Sequence, residues 1–393
     1  MRVNIIGGGA AGFFCAVNLK ELRPDAEVVI LERGSGTLRK VAVSGGGRCN
    51  VTNSFESVGD LAEVYPRGHR LMRKLFHSFG PNEVREWFEK RGVRLVVQAD
   101  HCIFPASQDS QTIINCLRGE AMRLGVKVET GVKELDIDGM LAKGERVVVC
   151  TGGISGKTMP EWLPLPAEDL VEPVPSLFSL SVKDAGLNEL MGTVAEGVSV
   201  AIAGQKVRAQ GDMLITHWGV SGPAILRLSS YAARSLAECG YKGTLIVNWL
   251  GMSEDECRNE LGRLARVNPQ KILLNARPVK LTSRLWEHIV GKCLPESSQK
   301  KWGELGKKEM NKLVQELTAA PYPIGGRAPF KDEFVMAGGI SLGSLNSNTM
   351  ESKRKSGLYF AGEVTDIDGV TGGFNFTAAW CTAMAVARAI AAI

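Results

Sequence analysis

Arg2-Val3-Asn4-Ile5-Ile6-Gly7-Gly8-Gly9-Ala10-Ala11-Gly12 opens the chain as a short apolar run followed by a Gly-x-Gly-x-x-Gly turn. The spacing predicts a strand over 2–6, a helix from about Ala10 to Leu22, and a second strand over Val28–Leu31 that ends at Glu32. Each part has a mechanical reason. Gly7 permits the tight turn, Gly9 lets the backbone approach a pyrophosphate, and Gly12 allows close helix–strand packing. The helix N-terminus supplies amide donors and a positive dipole end to phosphates. Glu32 follows Gly12 by 20 residues, where a carboxylate takes both hydroxyls of an adenosine ribose and repels a 2′-phosphate. The turn by itself leaves NAD and FAD open as ligands.

The other end of the chain decides between them. Leu358-Tyr359-Phe360 reads as a strand running into Ala361-Gly362-Glu363, and Asp366-Ile367-Asp368-Gly369 and Gly372-Gly373-Phe374-Asn375 lead into a long Ala-rich helix. FAD extends past the first helix, so a second glycine turn is needed for its ribitol, and a helix N-terminus can face the flavin edge where negative charge develops. Val147-Val148-Val149-Cys150-Thr151-Gly152-Gly153 is a further strand ending in a turn. Together these features select FAD. There is no second complete Gly-x-Gly-x-x-Gly, so a nicotinamide donor would bind only transiently.

Bulk composition agrees with a multi-domain α/β protein. The 393 residues carry 45 glycines and 16 prolines, neither periodic, which excludes collagen and low-complexity disorder. Five clusters spanning 48 residues hold 20 of those glycines. Net charge is +5, too mild to argue nucleic-acid binding alone. The 9 cysteines are odd in number and form no C-x-x-C pair, which fits a reducing, cytoplasmic setting and speaks against structural zinc. No stretch is long and apolar enough to predict a membrane span.

Ser44-Gly45-Gly46-Gly47-Arg48-Cys49-Asn50-Val51-Thr52-Asn53 resembles the signature of the BaiN/YhiN-like flavoproteins, also called the aminoacetone oxidase family of FAD-binding enzymes. Phe104-Pro105-Ala106-Ser107, Thr216 to Ala224, Ala337-Gly338-Gly339-Ile340 with Thr349-Met350-Glu351-Ser352, and Ala361 to Asn375 resemble other motifs of that family. The resemblance spans the chain. It implies an α/β fold: a Rossmann-type two-dinucleotide-binding FAD domain built from both chain ends, with an inserted β-barrel-like domain and a small helical domain. The expected divisions are 1–157 (FAD domain, first part), 158–251 (β-rich), 252–319 (helical), 320–332 (return through the β-rich domain) and 333–393 (FAD domain, second part). Runs at Phe178–Val182, Gly197–Ile202 and Leu245–Val247 read as strands, and 253–318 reads as helical. The segment from Ile154 to Pro166, with prolines at 160, 164 and 166, is shorter than the family pattern.

The fingerprint and the resemblance together make the expected cofactor-binding set Gly7, Gly9, Ala10, Ala11, Gly12, Glu32, Arg33, Lys40, Gly47, Arg48, Cys49, Asn50, Val132, Thr151, Gly152, Gly153, Gly362, Glu363, Asp368, Gly373, Phe374 and Asn375. No metal site is expected. The catalytic residues are not identified; the candidates are Arg48, Cys49, Asn50 and His217. Arg48 suits either a phosphate or reduced flavin, or a structural salt bridge. Cys49 has no cysteine nearby in sequence, which favours packing over redox exchange. Asn50 and Asn375 suit either the flavin's polar edge or Asx capping. For His217 and His101 a structural role is favoured.

The resemblance implies an FAD-dependent oxidoreductase that passes a hydride between flavin and a small organic substrate, an unsaturated ketone or an amino ketone. NAD(P)H or oxygen would be the second redox partner, and reduction is the preferred direction. The alternative is a flavoprotein that binds RNA or a partner protein through the helical segment. That segment has 13 Lys and Arg against 9 Asp and Glu between Glu254 and Glu316. A solvated mixed-charge face is favoured over nucleic-acid binding there. Oligomeric state is not legible.

Overall fold

Val3, Ile5 and Ile6 lie fully within the structure, and every strand beside them runs parallel to theirs. The computed structural model describes residues 1–154, 156–296, 299–328 and 335–393. It divides the chain into two units, one of Met1–Val174 with Val335–Ile393 and one of Pro175–Phe334. The expected boundary at 332/333 lies outside the described residues.

The first unit is built on a five-stranded sheet in the order Leu358–Phe360, Arg146–Val149, Arg2–Ile6, Glu27–Glu32, Lys127–Thr130. All four pairings are parallel, with Ile5 opposite Ile30 and Val148, and Tyr359 opposite Val148 on the strand's other side. Parallel strands covered on both faces need continuous apolar runs, which is why Val-Val-Ile-Leu and Val-Val-Val occupy them. The C-terminal strand thus joins the N-terminal sheet, and both chain ends share one core. The Ala10–Leu22 helix packs on the C-terminal helix, Phe374–Ala391. Phe14 anchors this contact, its ring 4.5 Å from that of Trp87 and 5.1 Å from that of Trp380. A small antiparallel sheet of Thr52–Asn53, Cys102–Pro105 and Leu95–Val97 braces the segment after the glycine-rich 45–47 loop. These strands, of 2 to 4 residues, are too short to show a period in the sequence.

The second unit contains a closed six-stranded barrel in the order Val194–Ile202, Arg208–Thr216, Gly219–Ser221, Leu180–Val182, Ala320–Arg327, Gly243–Asn248. Closure removes free edges, so these short antiparallel strands need no covering layer. Ala320–Arg327 is a strand that its two prolines disguise. Pro321 and Pro323 fall at alternate, exposed positions, while Ala320, Tyr322 and Ile324 point into the core. Three main helices follow within this unit, Glu254–Val267, Ser283–Cys293 and Lys307–Ala319. Their buried residues Leu261, Trp286 and Leu317 belong to the same hydrophobic core as the barrel's Leu180, Val200 and Val247.

Candidate cofactor site

The fingerprint turn is shaped by two opposite demands on its glycines. A Cβ on Gly12 would run into the Gly7 carbonyl oxygen, so the fold itself requires glycine there. Gly7 has φ +108°, and a Cβ on it would sit 2.5 Å from the Cys150 carbonyl oxygen. Gly9 differs from both. Its backbone is ordinary extended chain (φ −91°, ψ −166°), and a Cβ there would meet nothing within 4 Å. Neither strain nor internal packing asks for glycine at that position; glycine there suits a helix N-cap and leaves the backbone open to close approach by a ligand. The helix that begins at Ala10 has no side-chain cap and no acidic residue in its first turn, which leaves its N-terminal amides and dipole for an anion.

Glu32 closes this turn. Its carboxylate accepts from the Gly8 amide at 2.8 Å and from the Gly34 amide at 2.6 Å, linking the fingerprint to the loop after the second strand. Leu38 donates its amide to the Gly8 carbonyl at 2.8 Å, which ties in the next helix, Arg39–Gly47. Val132, whose amide bonds the Glu32 carbonyl at 3.0 Å, stands beside the same loop. Arg33 is exposed.

The Arg39–Gly47 helix breaks at Ser44, and Gly45 and Gly46 turn left-handed. Val43 is 62% exposed beside this loop, and hypothetical Cβ atoms on Gly46 and Gly47 meet nothing within 4 Å. An open apolar-and-glycine surface of this kind suits a flat ring system. Arg48 donates Nε to the Gly45 carbonyl at 3.1 Å and Nη1 to Gln108 Oε1 at 3.3 Å, with its guanidinium 4.3 Å from the centre of the Phe104 ring. It has no carboxylate partner among the described residues, so the salt-bridge reading of Arg48 gives way to a cation held against an aromatic face. Cys49 is fully buried, and burial pushes its thiol up to about 12. It therefore remains a protonated packing group.

Asn50 joins the two halves of the site. With its amide oriented to satisfy both atoms, Nδ2 donates to the Thr52 carbonyl at 2.8 Å, and Oδ1 accepts from the Gly373 amide at 3.1 Å. Thr52 Oγ1 and Thr377 Oγ1 lie 2.7 Å apart, and Tyr65 donates its hydroxyl to the Phe374 carbonyl at 2.9 Å. These bonds fix the N-terminus of the C-terminal helix, which has neither a side-chain cap nor an acidic first turn. Gly373, at φ +87°, leaves no room for a Cβ, which would sit 2.5 Å from the Thr52 carbonyl oxygen.

Several residues of the second turn hold the turn itself. Asp368 is wholly buried and paired with Arg67 through both carboxylate oxygens. Asn375 spans the turn, accepting from the Gly369 amide at 2.8 Å and donating to the Gly369 carbonyl at 2.9 Å. The Phe374 side chain is buried, its ring 5.1 Å from that of Phe55. As side chains, Asp368, Phe374 and Asn375 are thus committed within the fold. Lys40 pairs with Glu363 at 2.8 Å, and Glu363 also accepts from the Met336 amide at 3.1 Å. Gly152 and Gly153 lie against this pair. Thr151 is exposed beside them, while Ala11 packs under Gly362, where a Cβ would come within 3.0 Å.

His101 lies 3.3 Å from Ser54 Oγ and 3.7 Å from Glu56, at a left-handed residue of the small sheet's turn. His217 belongs to the other unit, exposed in the turn between Arg208–Thr216 and Gly219–Ser221. Arg67, Tyr65 and Met336 were not singled out by any motif; Arg67 sits 301 residues from its partner Asp368.

Nothing in this arrangement conflicts with FAD. The open Gly9, the two uncapped helix N-termini and the paired acceptor oxygens of Glu32 fit a dinucleotide, and the Val43–Gly47 surface fits its ring. The family described as HI0933-like protein Rossmann domain matches residues 1–389. Among characterised proteins, the 3-dehydro-bile acid delta(4,6)-reductase of Clostridium scindens is 29% identical, covering 99% of both chains. The ribosomal RNA dihydrouridine synthase of Escherichia coli is also 29% identical, over 98% of this chain and 96% of its own. A solved 3-ketosteroid delta1-dehydrogenase from Sterolibacterium denitrificans aligns over 99% of both chains with a TM-score of 0.44 and 11% identity. No helix among the described residues is long and apolar enough to cross a membrane.

Proposed function

The chain belongs to the HI0933-like Rossmann family and is an FAD-dependent oxidoreductase, and on that premise we propose that it reduces a carbon–carbon double bond conjugated to a carbonyl. The two relatives' names, a delta(4,6)-reductase of a 3-dehydro-bile acid and a synthase of dihydrouridine, support this reading. Each describes an unsaturated ring compound bearing a carbonyl that gains two hydrogens. The common step places a hydride on the carbon β to the carbonyl and a proton on the α carbon. FAD, when bound, supplies the hydride and is recharged by a two-electron donor such as NADH or NADPH.

The chain's own residues do the holding. Gly8, Gly9 and the N-terminus of the Ala10–Leu22 helix would take the diphosphate, and Glu32 the ribose hydroxyls, exchanging its present amide contacts for them in part. The N-terminus of the C-terminal helix, fixed by Asn50 and Tyr65, would face the ring edge that becomes negative on reduction, with Arg48 as a further positive charge. Val43 and Gly45–Gly47 would exclude water from the ring.

The single observation that carries the cofactor assignment is Gly9, a glycine that neither strain nor internal packing requires, at the start of a helix with no side-chain cap. The test is anaerobic. Purified protein should be yellow, should bleach with NADH or NADPH, and should regain colour on addition of a cyclic enone with one equivalent of saturated ketone formed. Bleaching followed by recovery only with oxygen, or turnover of an amino ketone in its place, would overturn the enone reading.

A further inference from the structure

Arg48 is held by three partners, and none of them carries charge. Nε reaches the Gly45 carbonyl, Nη1 reaches the Gln108 amide oxygen, and the guanidinium lies on the Phe104 ring. Nη2 has no partner among the described residues. The carboxylate next to Gln108 in sequence, that of Asp109, accepts instead from the Gln111 amide at 2.8 Å. Neutral acceptors orient a guanidinium without cancelling its charge, whereas a carboxylate at the same place discharges it.

The segment from Phe104 to Ser110 builds this seat. Phe104 is buried on the Cys102–Pro105 strand, opposite Val96. A Cβ on Gly45 would sit 3.0 Å from the edge of the Phe104 ring, so glycine at 45 lets the loop come down onto the ring. Ser110 ties the other end of the segment to the same loop. Its amide donates to the Gly47 carbonyl at 2.9 Å, and its hydroxyl donates to the Ala42 carbonyl at 2.9 Å. Gln108 stands between these two anchors. Its Nε2 donates to the Pro105 carbonyl at 3.0 Å, which leaves Oε1 as the end of the amide that meets Arg48. Gln98 Nε2 donates to that same oxygen at 3.3 Å.

Gln108 holds this position against its own backbone. Its φ is +55°, in the left-handed region where glycine is at ease and a side chain is not. Burial does not repay the strain, because Gln108 is exposed. What the side chain adds is a fixed neutral oxygen for Arg48. A hydride brings two electrons with one proton, so a flavin that accepts it gains one negative charge, and a fixed cation favours that state. We propose that Gln108 is a positioning residue, which keeps Arg48 oriented and undischarged beside the glycine loop and so raises the tendency of bound FAD to accept a hydride. The proposal rests on the reading of the Val43–Gly47 surface as the place of the flavin ring.

The experiment measures the reduction potential of the bound flavin against reference dyes, in the full-length flavin-loaded protein, with urea stability read in parallel. Arg48→Gln should lower the equilibrium constant for flavin reduction at least tenfold, or about 30 mV for two electrons. Gln108→Glu should lower it by about as much, because the new carboxylate pairs with Arg48, while stability stays the same or rises. Gln108→Gly relieves the left-handed backbone and should remain folded at near-normal stability, yet lower the constant about threefold as the guanidinium loses its fixed seat. Gln111→Glu, which adds the same charge three residues further on, should shift the constant less than about twofold. An Arg48→Gln protein with the wild-type potential would place Arg48 away from the ring and overturn the reading on which the proposal rests. A shift in Arg48→Gln with none in Gln108→Glu, or none in Gln108→Gly, would keep that reading and overturn the role of Gln108. An equal shift in Gln111→Glu, or a potential that falls only in step with stability, would overturn that role as well.

Discussion

The two glycine turns of the FAD unit look alike in sequence and answer to different masters. In the N-terminal turn, Gly7 and Gly12 are required by neighbouring backbone, but Gly9 is not. In the C-terminal turn, the three glycines nearest the helix are all required from within. A Cβ on Gly369 would meet the Phe374 Cβ at 2.7 Å, one on Gly372 would meet the Phe374 ring at 2.7 Å, and one on Gly373 would meet the Thr52 carbonyl. Even its polar side chains are spoken for, Asp368 by Arg67 and Asn375 by Gly369. The first turn therefore leaves open surface at Gly9, and the second chiefly holds a helix N-terminus in place. Substitutions should separate the two behaviours.

The largest effect is expected where a methyl group has nowhere to go. Gly12→Ala should leave no cooperatively folded protein, and Gly373→Ala should cost more than about 4 kcal/mol, since clash and left-handed strain combine. Circular dichroism and urea titration of the flavin-free protein read both. A folded Gly373→Ala of normal stability would break the claim that the second turn is internally determined.

Next comes the buried pair. Arg67→Met should destabilise by about 3–5 kcal/mol, because the fully buried Asp368 carboxylate loses the guanidinium paired with both its oxygens. Adding Asp368→Asn should recover part of that loss. If the single variant is lost but the double variant recovers nothing, the cost lies in packing rather than charge.

Gly9→Ala sharpens the contrast from the other side. Urea stability without cofactor should change by no more than about 1 kcal/mol, the size of a capping change. Bound flavin after purification, read from the visible-to-280 nm absorbance ratio, should drop to near zero. Equal loss of both quantities would return Gly9 to the internally required class.

The same contrast shows what a sequence can display. Strand, turn, helix and acidic end of the fingerprint were legible because period, spacing and residue type agree locally. The C-terminal strand was legible for the same reason. The Ala320–Arg327 strand pattern was not, because Pro321 and Pro323 occupy its exposed positions and read as a break; the return through the β-rich domain expected over 320–332 came from the resemblance alone. Motif membership marked Asp368 and Asn375 but could not say whether they face a ligand or their own loop. That depends on Arg67, a partner 301 residues away, and on where the Gly369 amide points. Gly9 and Gly373 could be separated only by asking what surrounds each missing side chain.

A smaller effect is expected for the pair that links the second turn to the glycine-rich helix. Lys40 is 60% exposed, so Lys40→Gln should cost less than about 1 kcal/mol, and that difference should vanish in high salt. A larger or salt-independent loss would mean that Glu363 needs Lys40 to hold the Val335–Ile340 strand through the Met336 amide.

The smallest effect is an expected failure to react. Burial moves the Cys49 thiol from its ordinary value of 9.0 to about 12, so at pH 8 it is neutral as well as shielded. Iodoacetamide should label exposed Cys239 and leave Cys49 unmodified, as peptide mass mapping would read. The sign of the accompanying pH effect is set by the same shift. The unfolded chain loses this proton near 9 while the native chain keeps it, so Cys49 subtracts stability only as pH rises from 9 toward 12. Rapid labelling of Cys49 at pH 8 would show that the 45–50 loop opens, and would return its thiol to the chemistry that burial now denies it.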